Sequence, residues 1–291
     1  MKEALHKPPI PPDQSLVVKY LLDPYFDPNW HFHTEYQLFT VLEGSGTRFV
    51  GDNIAPFEAK EIVLTGPNLP HLWRSDERYF AANQAEATAG IVIYFREEIF
   101  GSAFLDRKEG QKIRHLLALS RRGILIRGRF AERLIGLKRA MLKAEGFSLV
   151  LALLEILHLI SEAAGLEPIA SIGYQPTLRP MDKEKLNRVQ NYIFEHFRSG
   201  LNLEEAASIA NMSPSAFSRY FKQRTHKRFS DFVSELRIGH ACKLLLQDQW
   251  SISAVAYESG FNTLSNFNRQ FKSITGKSPS AYRQTYAKWI N

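Results

Sequence analysis

A chain of 291 residues with 44% hydrophobic side chains is long enough for two domains, each with its own core. Its single cysteine, Cys242, lies in an apolar helical pattern, which excludes a disulfide framework or zinc knuckle and suits a reducing cytoplasm. The formal charge of +7 is unevenly spread: residues 181–291 hold 16 of the 37 Lys and Arg against 9 of the 30 Asp and Glu, leaving 21 of each in the first 180. A basic module beside a neutral one fits a polyanion binder joined to a sensor.

Residues 1–14 carry Pro8, Pro9, Pro11 and Pro12 beside Lys2 and Lys7, so they read as a loose arm and lack the apolar core of a signal peptide. From Leu16 to about Phe95 the texture is β. Short apolar or alternating runs (Leu16–Tyr20, Tyr36–Leu42, Thr47–Val50, Glu61–Thr65, Gly90–Phe95) alternate with turn signals such as Asp27-Pro28-Asn29, Gly44-Ser45-Gly46 and Gly66-Pro67-Asn68. Many short strands at this spacing predict a small barrel or jelly roll.

Within this stretch, His31-Phe-His33-Thr-Glu35-Tyr-Gln37 precedes Gly44, and His71-Leu-Trp73 follows Pro67-Asn-Leu-Pro. The pattern resembles a cupin barrel over about residues 16–95. That resemblance implies that His31, His33, Glu35 and Gln37, which share one parity, point into the barrel. Metal-binding cupins use two His here and a third on the second motif, positions matched by His31, His33 and His71, while Gln37 stands where their carboxylate would be. A divalent metal on the three histidines is one expectation. A polar pocket for an organic effector is the other, with His31, His33, Glu35, Gln37, Arg48, His71 and Trp73 as candidate binders. Aromatic faces beside polar edges suit a sugar or a small hydroxylated acid.

From Arg96 to Leu166 the period becomes helical. Ile113, Leu116, Leu117 and Leu119 form one apolar stripe, and Phe130, Leu134, Leu137, Met141 and Leu142 form a second. Leu149–Ala164 is apolar on most faces, so it predicts either a dimer-forming helix or a buried core helix. Its run is too short to span a bilayer and holds Glu155 and His158. Residues 167–181, with Pro168, Gly173, Pro176 and Pro180, lack periodicity and read as a linker.

The C-terminal third carries the most specific pattern. Leu186, Val189, Tyr192, Ile193 and Phe197 predict a first helix. Ala206, Ala207 and Ala210 are small enough for a close helix crossing, Asn211-Met212 makes a turn, Ser213 caps, and Pro214 suits a first helical turn. Phe217 and Phe221 then point inward. The pattern returns with Ser251 as cap, Ala256 at the crossing, Gly260 in the turn and Phe267 with Phe271 inward, an offset of 50 residues between the Phe pairs. Two helix–turn–helix units joined by a rod at Arg237–Leu246 place two recognition helices in successive major grooves. Outward positions Ser215, Ser218, Arg219, Ser265, Asn266, Asn268 and Arg269 are candidate base readers, and Lys222 and Lys272 candidate phosphate contacts.

The stretch LRIGHACKLLLQDQWSISAVAYESGFNTLSNFNRQFKSITGKSPSAYR resembles the C-terminal domain of AraC/XylS-type transcription regulators, and a cupin is the usual sensor half of that family. His226 departs from it, standing where the family has Gly. The resemblance implies an α+β chain: a cupin-like β-barrel with packed helices, then an all-α double helix–turn–helix domain. The expected divisions are 1–95 for the sensing barrel with its arm, 96–166 for a helical dimerisation region, 167–181 for the linker and 182–291 for the DNA-binding domain. The implied protein is a cytoplasmic, homodimeric activator that binds double-stranded DNA, a small-molecule effector and RNA polymerase, with no membrane partner. It has no catalytic residues, and no nucleophile elbow, P-loop or dinucleotide fingerprint occurs in the chain. The rival expectations are a metal-dependent cupin enzyme fused to a DNA-binding domain, and a repressor whose barrel only dimerises.

Overall fold

The computed structural model describes residues 10–286 apart from 12, 81–86, 102, 173, 175–182 and 248–249. Most of the expected arm and much of the expected linker therefore lie outside the described residues. The chain divides into two compact units, residues 1–46 with 57–176 and residues 47–56 with 177–291.

Among the described residues eight strands occur: β1 (Leu16–Asp23), β2 (Tyr36–Glu43), β3 (Gly46–Val50), β4 (Asn53–Phe57), β5 (Ile62–Thr65), β6 (His71–Ser75), β7 (Thr88–Phe95) and β8 (Ile124–Ile126). A five-stranded antiparallel sheet runs β1-β7-β2-β5-β8, and a three-stranded sheet runs β4-β3-β6. Among the described residues the two sheets stay separate and do not close into the barrel that the strand spacing suggested. The larger sheet ends instead on β8, whose outer edge is covered by residues 168–170: Ile169 donates its N–H to Gly123 O and Ala170 to Arg122 O, both at 2.8 Å. An edge covered in this way needs no further strand.

Helices α1 (Gln111–Ser120), α2 (Gly128–Met141) and α3 (Phe147–Ser161) complete the first unit. Their apolar stripes pack on the strands in one continuous core, in which Leu38, Ile62, Leu64 and Ile93 join Leu116, Leu134, Leu153, Ile156 and Leu157. The segments before and after residue 95 thus share one interior. Lys138 of α2 is wholly buried there and donates to Leu38 O at 2.8 Å, Ile91 O at 3.3 Å and Thr40 Oγ1, clamping α2 onto β2 and β7. With no carboxylate among these partners, burial holds its ammonium well below the usual lysine range. No helix among the described residues is long and apolar enough to cross a membrane.

The second unit contains α4 (Lys183–His196), α5 (Leu203–Ile209), α6 (Pro214–Thr225), α7 (Phe229–Leu245), α8 (Ile252–Glu258), α9 (Leu264–Thr275) and α10 (Pro279–Tyr286). The rod α7 begins eight residues before the expected Arg237, because Phe232, Val233 and Leu236 already bury along it. Residues 47–56 group with this unit, which nothing in their alternating pattern indicates.

Candidate functional site

Each helix–turn–helix unit is built by local chemistry. Asn202 caps α5 by accepting from Glu204 N at 2.9 Å, and Ser251 caps α8 by accepting from Ala254 N at 3.1 Å. Ser213 and Thr263 cap α6 and α9 in the same way, through Ala216 N and Asn266 N. Thr225 and Thr275 close the far ends, each donating to the carbonyl four residues back at 2.8 Å and accepting the N–H of the lysine two residues on. Phe217, Phe221, Phe267 and Phe271 are fully buried, as their spacing predicts.

The repeat is not uniform. The turn hydrogen bonds Met212 N to Ala207 O and Phe261 N to Ala256 O are 49 residues apart, whereas the recognition helices are 50 apart. The second turn is one residue longer, and the exposed Asn262 lies within it. Gly260 makes that turn at φ 85°, and a Cβ there would lie 2.6 Å from Phe197 O.

All nine side chains expected at the DNA face are exposed: Ser215, Ser218, Arg219 and Lys222 on α6, and Ser265, Asn266, Asn268, Arg269 and Lys272 on α9. Four are partly committed locally: Ser215 Oγ lies 3.4 Å from Ser213 Oγ, and Ser218, Asn266 and Arg269 bond within their helices. Ser218 Oγ donates back to Pro214 O at 2.9 Å, and Arg269 Nη2 donates to Asn266 Oδ1 at 3.0 Å. The latter holds the Arg269 guanidinium along the helix, and Ala216 offers Arg219 no equivalent.

In the first unit His31, His33 and His71 come together, each offering one ring nitrogen within 4.8 Å of those of the other two. His31 and His71 also exchange backbone hydrogen bonds, at 3.2 and 2.9 Å. Each Nδ1 faces a backbone carbonyl: Asn29 O at 2.7 Å for His31, Glu35 O at 3.0 Å for His33 and Leu69 O at 2.7 Å for His71. A carbonyl accepts only, so each Nδ1 carries a proton and donates it, and a ring that is neutral then keeps its lone pair on Nε2. Burial lowers the His33 pKa to about 4, with neighbouring His31 adding to the effect, so that ring is neutral at pH 7. Gln37 Oε1 lies 3.2 Å from His33 Nε2 and 3.3 Å from His71 Nε2, and exchanging the amide's O and N puts a donor there. Its amide nitrogen satisfies two such lone pairs when turned towards them.

Glu35 lies between His33 and Arg96. Strand β2 begins only at Tyr36, so residues 31–35 do not alternate as a strand. Glu35 is buried, with Oε2 3.8 Å from His33 Nδ1 and Oε1 accepting from Arg96 Nη2 at 3.4 Å. Trp73 packs against His71 and Phe39, and its buried Nε1 has no hydrogen-bond partner among the described residues. Arg48 falls on β3, in the segment grouped with the other unit. Two neighbours carry no signal in the sequence: Arg96, and Tyr94, whose ring lies 5.3 Å from that of His33. The β2–β7 register, Gln37 opposite Tyr94, brings them there, and only a long-range pairing reveals it.

The C-terminal geometry defines a helix–turn–helix domain, and the family described as "Helix-turn-helix domain" matches residues 206–285. This part of the chain belongs to the AraC-type helix–turn–helix domains. The chain is 35% identical over 100 residues to Regulatory protein PocR of Salmonella typhimurium, covering 34% of this chain and 33% of that protein. It is 32% identical over 94 residues to the uncharacterized HTH-type transcriptional regulator YobQ of Bacillus subtilis, covering 32% of this chain and 39% of that one. The chain thus spans a third to two fifths of the length of these relatives. The solved DNA-binding domain of AdpA, a global transcriptional factor in complex with a target DNA, is 29% identical, with 35% of this chain and 92% of that one covered and a TM-score of 0.34.

Proposed function

We propose that the chain is a transcription regulator that reads double-stranded DNA with α6 and α9 and responds to a small polar effector held at the histidine cluster. The observation that carries the first half is the pair of equal recognition helices, each presenting Arg and Lys on its exposed face. Arg219 and Arg269 suit guanine edges, Asn266 and Asn268 suit adenine, and Lys222 and Lys272 suit phosphates. Regulatory names among the relatives support the same reading. Binding sites selected from random duplexes test it. Arg219→Ala and Arg269→Ala should each relax the preference at one base pair, by about 1–3 kcal/mol. A uniform loss across all sequences would assign both arginines to phosphate.

The effector half rests on the three clustered imidazoles with the Gln37 amide against two of them, and on Trp73 packed against His71. Hydrogen-bonding edges beside aromatic faces favour a sugar or a sugar acid. A thermal-shift screen of such compounds should give a hit that His33→Ala abolishes; regulation unchanged in His33→Ala and Glu35→Ala would leave a module that only dimerises. For dimerisation, α3 presents Phe147 and Leu151 to solvent one turn apart, an apolar stripe suited to a second copy. We assign the working form as a cytoplasmic homodimeric activator that contacts RNA polymerase.

A divalent metal is the second reading, and the donor set fits it. Backbone carbonyls fix the Nδ1–H tautomer of His31, His33 and His71, as the outer shell of a metal site does. The ion would supply Lewis acidity or an anchor for an effector oxygen, while the chain's part is to orient three Nε2 lone pairs. Metal analysis of protein purified without chelators decides it: a stoichiometric ion lost in His71→Ala supports the site, and its absence removes the metal-dependent enzyme.

A further inference from the structure

Apart from the histidine cluster, the first unit has a groove of about 510 Å3 lined by β8, α2 and the end of α3. This lies within the range of roughly 300–1,000 Å3 typical of small-molecule sites. Leu125, Phe130, Leu159 and Leu166 line it with half-buried apolar side chains, surface that a ligand would remove from water. Small residues keep it open. Ala163 and Ala164 follow α3, and Gly165 turns the chain at φ 72° with open space where a Cβ would stand.

The charge of the lining has a sign. Its carboxylate, Glu162, is already engaged by Lys112, whose Nζ donates to both oxygens at 2.6 and 2.8 Å and holds the carboxyl below its ordinary range. Arg127 gives Nε and Nη2 to Glu61, which leaves its Nη1 edge uncommitted among the described contacts. Arg133 is exposed and has no ion pair or hydrogen bond among the described residues. An apolar floor with two guanidinium edges and a neutralised acid therefore selects an anion with an apolar body.

We propose that this groove binds an amphipathic carboxylate, its head on Arg133 and the Nη1 edge of Arg127 and its body over Leu125, Phe130, Leu159 and Leu166. Such a ligand would tie β8, α2 and α3 together. The site is separate from the histidine cluster and does not depend on the effector reading.

Calorimetric titration of the full chain with sodium octanoate and with octanol tests the proposal. Octanoate should saturate one site and bind at least about tenfold more tightly than octanol, since a charge-assisted hydrogen bond is at stake. Arg133→Ala, an exposed change, should weaken octanoate by a similar factor, and Ala164→Phe should block it by filling the groove. His33→Ala should leave it intact. Equal affinity for octanol, retention of binding in Arg133→Ala, or no saturable binding would overturn the proposal. Loss of binding in His33→Ala would also overturn it, by moving the ligand to the histidine cluster.

Discussion

His226 ends α6 in the left-handed region at φ 58°, where α9 ends on Gly276 at φ 73°. A side chain there crowds its own backbone and costs roughly 1 kcal/mol. His226→Gly should therefore stabilise the second unit by about 0.5–1 kcal/mol, read as a higher urea midpoint. A lower midpoint would mean that the imidazole's own contacts outweigh the strain. Lys138 carries the opposite lesson, a buried polar group whose partners are all present. Its folded pKa lies below its unfolded one, so between the two the unfolded chain binds a proton that the native chain does not. Stability from this group should rise with pH towards about 10.5 and level off above it. Lys138→Met should flatten that slope in denaturant melts at several pH values; an unchanged slope would mean that Lys138 stays protonated in the fold.

At the scale of elements, the helix ends were legible because caps are local: Ser213, Ser251 and Pro214 act on residues within one turn. The stripes of α1, α2 and α3 were legible for the same reason. What escaped depended on distant partners. Three-residue β8 is too short to show a period, β4 contains Pro56, and the company of His33 is set by the Gln37–Tyr94 register. Glu35 stays beside His33, but its second partner, Arg96, lies 61 residues away and shows only in the fold. The longer second turn also escaped, since the Phe pairs alone fix only the offset of the recognition helices. That turn depends on Gly260, where an added Cβ would meet Phe197 O at 2.6 Å and Arg198 Cα at 2.9 Å. Backbone cannot yield as a side-chain tip can, so Gly260→Ala should cost about 2–4 kcal/mol, combining overpacking with left-handed strain. Urea unfolding measures it, and a loss below about 0.5 kcal/mol would show that the chain after α4 can move aside.

For the whole molecule, the decisive quantity is where charge resides. Residues 181–291 carry the entire formal excess, so non-specific attraction to DNA should come from the second unit. Each phosphate contact contributes a slope of about −0.9 to log Kobs against log salt. Lys222→Ala and Lys272→Ala should each make the slope shallower by about 0.9 per bound protomer, while leaving the order of preference among sequences unchanged. The same titration counts protomers: the double variant should lose about 1.8 if one chain binds and about 3.6 if two bind with all lysines engaged. Fluorescence anisotropy on a selected duplex, from low to moderate salt, reads this directly. An unaltered slope would take both lysines off the phosphates, whereas a steeper change at one favoured base pair would make them readers of sequence.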